Sequence, residues 1–120
     1  MDLRTLHCRH RGSDERLDAD EARELLAYLD PRWSLTDDAP AITAQITLAN
    51  FSELMLFLQA LAWISHTEDH HPEVCYTYRD CTITYSTHSA GGLTRNDFIC
   101  AVRVDDLLRQ YRETRPSDPA

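Results

Sequence analysis

Residues 73–88, with the sequence EVCYTYRDCTITYSTH, restrict the fold of this chain more than any other segment. β-branched and aromatic side chains alternate there with polar ones, which is typical of β-strands. Arg79 and Asp80 interrupt this pattern, and we interpret them as the two-residue loop of a hairpin. A connection this short allows only antiparallel pairing, since parallel strands need a long crossover. The segment therefore predicts an antiparallel sheet.

One helix-start signal occurs three times in the chain, each time before residues with helical apolar spacing. The signal is a capping residue followed three positions later by an acid, which is the capping-box pattern. The three pairs are Asp18 with Glu21, Asn50 with Glu53, and Thr94 with Asp97. They predict three helices, the first stopped by Pro31 and the third, with Tyr111 in its apolar pattern, fraying before Pro116.

Further period-two alternation lies between the first two helices. Residues 42–48 alternate apolar side chains with Thr or Gln, and residues 33–36 indicate a short strand before them. The predicted order is helix, two strands, helix, two strands, helix. This order favours an α+β fold with a four-stranded antiparallel sheet that carries its helices on one face. At 120 residues the chain predicts a single domain, 1–120, with loosely ordered ends at 1–14 and 114–120.

The segment NFSELMLFLQALAWISH, residues 50–66, is apolar almost all the way round a helix. Such a helix is buried on more than one side. Two interpretations remain open, deep packing against the sheet and contact with a second subunit. The second interpretation predicts self-association.

Composition excludes several classes of function. The formal net charge is -8 and all twelve basic residues are Arg, scattered among acids, which argues against a nucleic-acid partner. No apolar run reaches the roughly 18 residues of a membrane span, so we expect no membrane partner. The N-terminus has no apolar core of a secretory signal. The four cysteines form no C-x-x-C pair, and we expect free thiols in the cytoplasm.

Three histidines lie within SHTEDHHPE, residues 65–73. With the hairpin loop at 79–80, Tyr76 faces Ile83, and the same ladder extended places His71 opposite His88. Directly opposed residues have Cβ atoms about 4.5–5.5 Å apart. Pro72 favours an extended conformation at His71 and suits the first position of a strand.

Three interpretations of this histidine cluster remain open. The side chains are exposed polar groups at a strand end, or ligands of a zinc ion, or metal-free acid–base catalysts. Consecutive histidines converge on one ion with difficulty, which weakens the zinc interpretation. Histidine exchanges protons near neutral pH, which suits catalysis.

The stretch EDHHPEVCYTYRDCTITYSTHSAGGLTRND closely resembles the pterin-4a-carbinolamine dehydratases. That family combines an adjacent His-His-Pro, a following aromatic residue, a hydroxyl residue before His, a Gly-Leu-Thr turn and an acid opening the last helix. The matching residues are His70, His71, Pro72, Tyr76, Thr87, His88, Gly92, Leu93, Thr94 and Asp97. The likeness extends over roughly residues 17 to 110.

The resemblance implies a lyase that converts 4a-hydroxytetrahydrobiopterin to quinonoid dihydrobiopterin and water. This reaction recycles tetrahydrobiopterin for an aromatic amino-acid hydroxylase, which is the implied functional partner. It implies no cofactor and no metal, and it implies a homodimer or homotetramer. Other relatives act as dimerisation partners of transcription factors or assist enzyme assembly, so the alternative is a binding module without catalysis.

The resemblance also assigns roles to individual residues. His70 and His88 are implied as the general acid and base, with His71 binding and orienting the pterin. The implied substrate-binding residues are His66, Asp69, His71, Thr87 and Asp97. Glu68 and Asp69 are implied to tune the imidazoles, because a nearby negative charge favours their protonated form.

Three positions depart from the family pattern, and one of them is Val74, which stands where a Trp is frequent. Asn96 stands where many members carry Arg, and His66 stands where many carry Glu. The change at position 96 removes a fixed cation, and whether neighbouring Arg95 replaces it is open.

Overall fold

The computed structural model describes residues 2–37 and 40–115. It confirms the α+β class and the predicted order of three helices and four strands, and it adds a short fifth strand. The elements are α1 (Ala19–Leu26), β1 (Trp33–Leu35), β2 (Ile42–Leu48), α2 (Phe51–Glu68), β3 (Glu73–Thr77), β4 (Asp80–Tyr85), α3 (Arg95–Leu108) and β5 (Glu113–Thr114).

The sheet is antiparallel throughout, with the strand order β1-β2-β4-β3. β5 pairs with the end of β2. It comprises only two residues, too few to leave an alternating pattern in the sequence. Part of the C-terminal end that we expected to be loosely ordered therefore forms a strand, and residues 116–120 lie outside the described residues.

The helices cover one face of the sheet. The side chains of β2 that point to this face are buried, and those that alternate with them are partly or fully exposed. The buried core combines both layers and includes Ile42, Ile46, Ile83, Tyr85, Leu54, Phe57, Phe98 and Ile99. Each such side chain contributes roughly 1.5–3 kcal/mol when it leaves water.

The hairpin turn lies at Tyr78 and Arg79, one residue earlier than predicted, so the predicted loop was wrong. Asp80 belongs to β4 because it pairs with Thr47 of β2, whose Oγ1 donates to the Asp80 carboxylate at 2.6 Å. The Arg79 carbonyl also accepts from the Leu48 N–H at 2.9 Å. Contacts with a third strand thus decide where the turn falls.

The shifted turn corrects the predicted pairing by two residues. Tyr76 faces Cys81 instead of Ile83, and the ladder ends at Glu73 and Thr84. The prediction that His71 lies directly opposite His88 is therefore wrong.

A shift of two residues keeps every side chain on its predicted face, because side chains alternate with a period of two. Cys75 is exposed and Cys81 is buried, because the two side chains point to opposite sides of the sheet. All four cysteines are free thiols.

The predicted capping boxes are present in full at α1 and α3. At α2 the box is half formed. Asn50 Oδ1 accepts from the Glu53 N–H at 2.8 Å, but the Glu53 carboxylate accepts from Arg112 instead of returning to Asn50. Tyr111 lies beyond the end of α3, not within it, and packs edge-on against Phe57.

α2 is buried on one side only within the single chain. Leu54, Phe57 and Leu61 are buried, whereas Leu56 and Trp63, two helical turns apart, are 58% and 67% exposed. Deep packing against the sheet therefore does not account for the whole apolar surface of α2. Among the described residues, no helix is both long and apolar enough to cross a membrane.

The N-terminal segment lies along α3. Leu3 is buried in the core cluster, and Arg103 of α3 donates to the Leu6 carbonyl at 2.6 Å. Arg4 pairs with Asp106 at 3.0 Å. These contacts place residues 7–11, which we call the N-terminal arm, beside the end of α2.

Candidate active site

A cleft of about 560 Å³ opens where the end of α2, the end of β4, the start of α3 and the N-terminal arm meet. It has the volume of a typical small-molecule site. Five of the seven residues that the resemblance implies for the site line it. The lining residues are Cys8, Arg9, His10, Arg11, Glu68, Asp69, His70, His71, Ser86, Thr87, His88, Ser89 and Asn96.

The end of α2 brings His70 to the cleft. Asp69 adopts a left-handed conformation with φ 49°, its N–H donates to the His66 carbonyl, and the His70 N–H donates to the Ser65 carbonyl at 3.2 Å. This is a Schellman motif, which ends a helix with a sharp change of direction. The chain leaves the helix axis at this point, so His70 and His71 follow a reversal in chain direction.

His70 is held between an acid and an aromatic ring. Its Nε2 lies 2.6 Å from Asp97 Oδ1, and its ring stacks on Tyr85 with centroids 5.9 Å apart. The His70 side chain is 12% exposed, whereas Asp97 is fully buried behind it. When the carboxylate accepts from Nε2–H, Nδ1 is the ring nitrogen left to exchange a proton with a ligand.

Asp97 is itself fixed by two hydroxyl residues. Its Oδ2 accepts from the Thr94 N–H at 3.0 Å and from Thr87 Oγ1 at 2.9 Å, and the two threonine hydroxyls are 2.7 Å apart. The Thr94 and Asp97 capping box of α3 therefore also positions the His70 imidazole.

His88 begins a short 3-10 helix, His88–Ala90, just after β4. Thr87 bridges to Gly92, and Gly91 adopts φ 71°, which lets the chain turn back toward α3. The side chains of His71 and His88 are exposed and have no hydrogen-bond partner within the described part of the chain. Both imidazoles are thus available to a ligand in the cleft.

His66 is absent from the cleft lining. Its ring packs against Trp63 on the exposed side of α2, with centroids 5.4 Å apart. In residues 2–37 and 40–115, no three His, Cys, Asp or Glu side chains form a group that could hold a metal ion.

Glu68 lines the cleft but contacts the N-terminal arm instead of an imidazole of the cleft. Its carboxylate accepts from the Cys8 N–H at 2.8 Å and lies 3.0 Å from His7 Nδ1. Burial alone would raise the pKa of Glu68, but these contacts and the charge of Arg103 lower it below its usual value. Glu68 thus fastens the arm to the end of α2.

The N-terminal arm and Asn96 are site features that the sequence reasoning missed. Arg95 does not line the cleft, whereas Arg11 does, and Asn96 Oδ1 accepts from Arg11 Nε at 2.9 Å. The departure at position 96 is the one signal that pointed here. It indicated a missing cation but gave no means of finding a replacement 85 residues away.

Comparisons with known proteins agree with this geometry. Residues 15–107 match the family model described as pterin 4 alpha carbinolamine dehydratase. A Legionella pneumophila (strain Corby) protein, provisionally named for that activity, is 39% identical over 89% of this chain and 96% of its own. A Xanthomonas campestris pv. campestris (strain 8004) protein with the same provisional name is 43% identical over 90% of this chain and 92% of its own.

Two solved structures have a similar fold. The transcriptional coactivator/pterin dehydratase from Brucella melitensis superposes with a TM-score of 0.73 at 33% identity, over 77% of this chain and 97% of its own. A pterin dehydratase-like protein identified as a RuBisCO assembly factor of the alpha-carboxysome superposes with a TM-score of 0.55 at 22% identity, over 62% of this chain and 87% of its own. This likeness shows the fold alone. With its fold, its histidine cleft and a family match over residues 15–107, this chain belongs to the pterin 4 alpha carbinolamine dehydratase family.

Proposed function

We propose that this protein is a cytoplasmic dehydratase that converts 4a-hydroxytetrahydrobiopterin to quinonoid dihydrobiopterin and water. The observation that carries the proposal is the cleft itself, in which His70, His71 and His88 meet and His70 is backed by the buried Asp97. Membership of the family supports a pterin as the ligand. The product would feed the recycling of tetrahydrobiopterin for an aromatic amino-acid hydroxylase.

The reaction needs two proton transfers and no change of oxidation state. One imidazole donates a proton to the departing 4a-hydroxyl group, and the other accepts the proton from ring nitrogen N5. His70 and His88 take these two roles, and the exposed His71 binds and orients the ring. Asp97 holds His70 in one tautomer, so the same nitrogen faces the substrate in every turnover.

The test follows the ultraviolet decay of freshly generated 4a-hydroxytetrahydropterin in the presence of the purified, folded protein. We expect the wild type to accelerate the decay well beyond buffer. His88→Ala should reduce kcat by roughly 10²-fold or more, the usual scale for a general acid or base. Arg23→Gln, an exposed change on α1, is the matched control and should retain the wild-type rate. A wild-type rate equal to that of buffer would refute the proposal.

The second candidate function is a protein-binding module on the same fold. The exposed Leu56 and Trp63 on α2 favour it, because large apolar side chains left in water often mark an interaction surface. A stoichiometric protein partner recovered together with an absence of pterin turnover would favour this candidate.

We also propose that the protein self-associates as a homodimer or homotetramer through the exposed side of α2. Pairing of this surface would give Leu56 and Trp63 the burial that the single chain does not provide. Sedimentation velocity at micromolar concentration should show a species larger than the monomer, and Trp63→Glu should shift it toward the monomer. A wild-type protein that sediments only as a monomer would contradict this.

A further inference from the structure

The N-terminal arm forms one wall of the candidate active site although it precedes the residues matched by the family model. Four hydrogen bonds attach its backbone, and one of them runs from the Arg9 N–H to Asn96 Oδ1 at 3.3 Å. The Cys8 N–H donates to Glu68 at 2.8 Å, Ser89 Oγ donates to the Arg11 carbonyl at 2.7 Å, and Asn96 Nδ2 donates to the Arg9 carbonyl at 2.6 Å. The arm therefore has a fixed position in the cleft.

Each anchor of the arm is a sequence neighbour of a site residue. Glu68 precedes Asp69, and Ser89 follows His88. Asn96 precedes Asp97. Because the anchors come from three different elements, the arm is positioned relative to the imidazoles themselves and not merely to the protein surface.

Arg11 is the buried cation of this wall. It is 9% exposed, its Nε donates to Asn96 Oδ1 at 2.9 Å, and its Nη1 donates to Glu15 at 2.8 Å. Its Nη2 has no acceptor among the residues that the structure describes. Because Arg11 lines the cleft, this edge of its guanidinium is a donor that a bound molecule can reach.

We infer that Arg11 is a substrate-binding residue that donates from Nη2 to the carbonyl oxygen of the pterin's pyrimidinone ring, and that Asn96 positions it. The inference rests on the proposed function. Every pterin carries this carbonyl, and guanidinium is well suited to bind planar acceptors because its donors lie in one plane. The carbonyl carbon is bonded directly to the 4a carbon, and its oxygen lies beside N5, so this contact would hold the reacting atoms in the cleft that His70 and His88 line.

The test measures binding of 7,8-dihydrobiopterin, a pterin that cannot lose water, by calorimetric titration, alongside steady-state dehydration. Arg11→Gln should weaken binding and raise KM by about 10- to 100-fold, the effect of losing a charged hydrogen bond. The value of kcat should change by less than about threefold, because the proton-transfer groups stay in place. Arg23→Gln removes the same charge far from the cleft and should bind as the wild type does.

Two further variants keep the test decisive. Arg11→Lys retains the charge without the planar donors and should bind about tenfold more weakly than the wild type. Asn96→Ala should weaken binding in the wild-type background but add little to Arg11→Gln, because Asn96 positions Arg11 both directly and through the Arg9 backbone. Circular dichroism establishes that each variant is folded. If Arg11→Gln does not fold, Arg11→Lys decides.

Failure of the inference is distinguishable from failure of the proposed function. An active wild type with folded Arg11 variants that bind pterin equally well would overturn the inference alone. A wild type that binds dihydrobiopterin through Arg11 but does not accelerate dehydration would refute the proposed reaction and leave the binding role standing. If the losses in affinity caused by Asn96→Ala and Arg11→Gln multiplied fully in the double variant, the positioning role of Asn96 would be overturned.

Discussion

At the scale of single residues, Asp97 connects folding to the proposed chemistry. Its Oδ2 accepts from the Thr94 N–H within the capping box of α3, while its Oδ1 holds His70. One carboxylate thus starts a helix and orients an imidazole. A substitution at this position should therefore affect stability and turnover together.

We predict that Asp97→Asn reduces kcat by roughly 10- to 100-fold. If the new amide turns its NH2 group toward His70, it donates to Nε2. Nε2 must then accept, so the imidazole carries its proton on Nδ1 instead. The same change weakens the helix start and should lower the free energy of unfolding by about 1–2 kcal/mol. Ultraviolet kinetics and denaturant unfolding measure the two effects. Wild-type turnover in the folded variant would show that His70 does not depend on this carboxylate.

At the scale of elements, Tyr78 is the least favourable residue of the hairpin. It adopts φ 51°, a left-handed conformation that costs side chains with a Cβ about 1–2 kcal/mol, and asparagine tolerates it better. The position is tolerated because Asp80 and Arg79 are fixed by β2.

Replacing this residue should therefore stabilise the protein. Tyr78→Asn is expected to raise the free energy of unfolding by about 0.5–1 kcal/mol. Tyr76→Asn makes the same substitution within β3, where asparagine is disfavoured, and should lower the free energy of unfolding. Thermal unfolding of the two variants provides the comparison. A loss of stability in both variants would contradict the inference that the backbone at Tyr78 is strained.

The elements also show what the sequence determines locally. Asp18 and Thr94 act through residues three positions away, so the starts of α1 and α3 could be predicted. The turn was misplaced by one residue because the pairing of Asp80 with Thr47 joins positions 33 residues apart. Short-range pattern carries no information about such a contact.

The same reasoning explains which residues of the cleft could be predicted from the sequence. Asp69, His70, His71, Thr87 and His88 were identified through a motif whose members share one hairpin and its ends. The N-terminal arm was missed because its partners lie about 60 to 90 residues away in the sequence. Its residue types carry no hydrophobic period.

At the scale of the whole molecule, buried and partly buried carboxylates connect both ends of the described chain to the core. The guanidinium of Arg115 lowers the pKa of Asp30 against the opposing effect of burial, and Arg32 lowers it further. Arg32 also pairs with Asp105 and Glu113. At the other end of the chain, Glu68 fastens the N-terminal arm, with its own pKa lowered despite burial. The lowered pKa values of Asp30 and Glu68 mean that these two acids stabilise the folded state in their ionised form.

This dependence predicts the direction of the pH effect. An acid whose pKa is lower in the folded than in the unfolded state stabilises the fold at pH values above its unfolded pKa, which is 4.5 for Glu68. This stabilisation is lost as the pH falls through the folded pKa. Glu68→Gln should lower the free energy of unfolding at pH 7 by about 1–3 kcal/mol. In urea unfolding series, the difference in the free energy of unfolding between wild type and Glu68→Gln should narrow as the pH falls below 4.5. A gap that stays constant down to pH 3 would contradict the role of ionised Glu68.

The most direct test of the central claim, that three imidazoles share one pterin cleft, is histidine-detected NMR during titration with 7,8-dihydrobiopterin. We predict that the ring resonances of His70, His71 and His88 shift together and saturate at one pterin per chain. His66, packed against Trp63 outside the cleft, should not follow them. Saturating pterin that leaves the three resonances unmoved, or that shifts His66 in their place, would contradict the account.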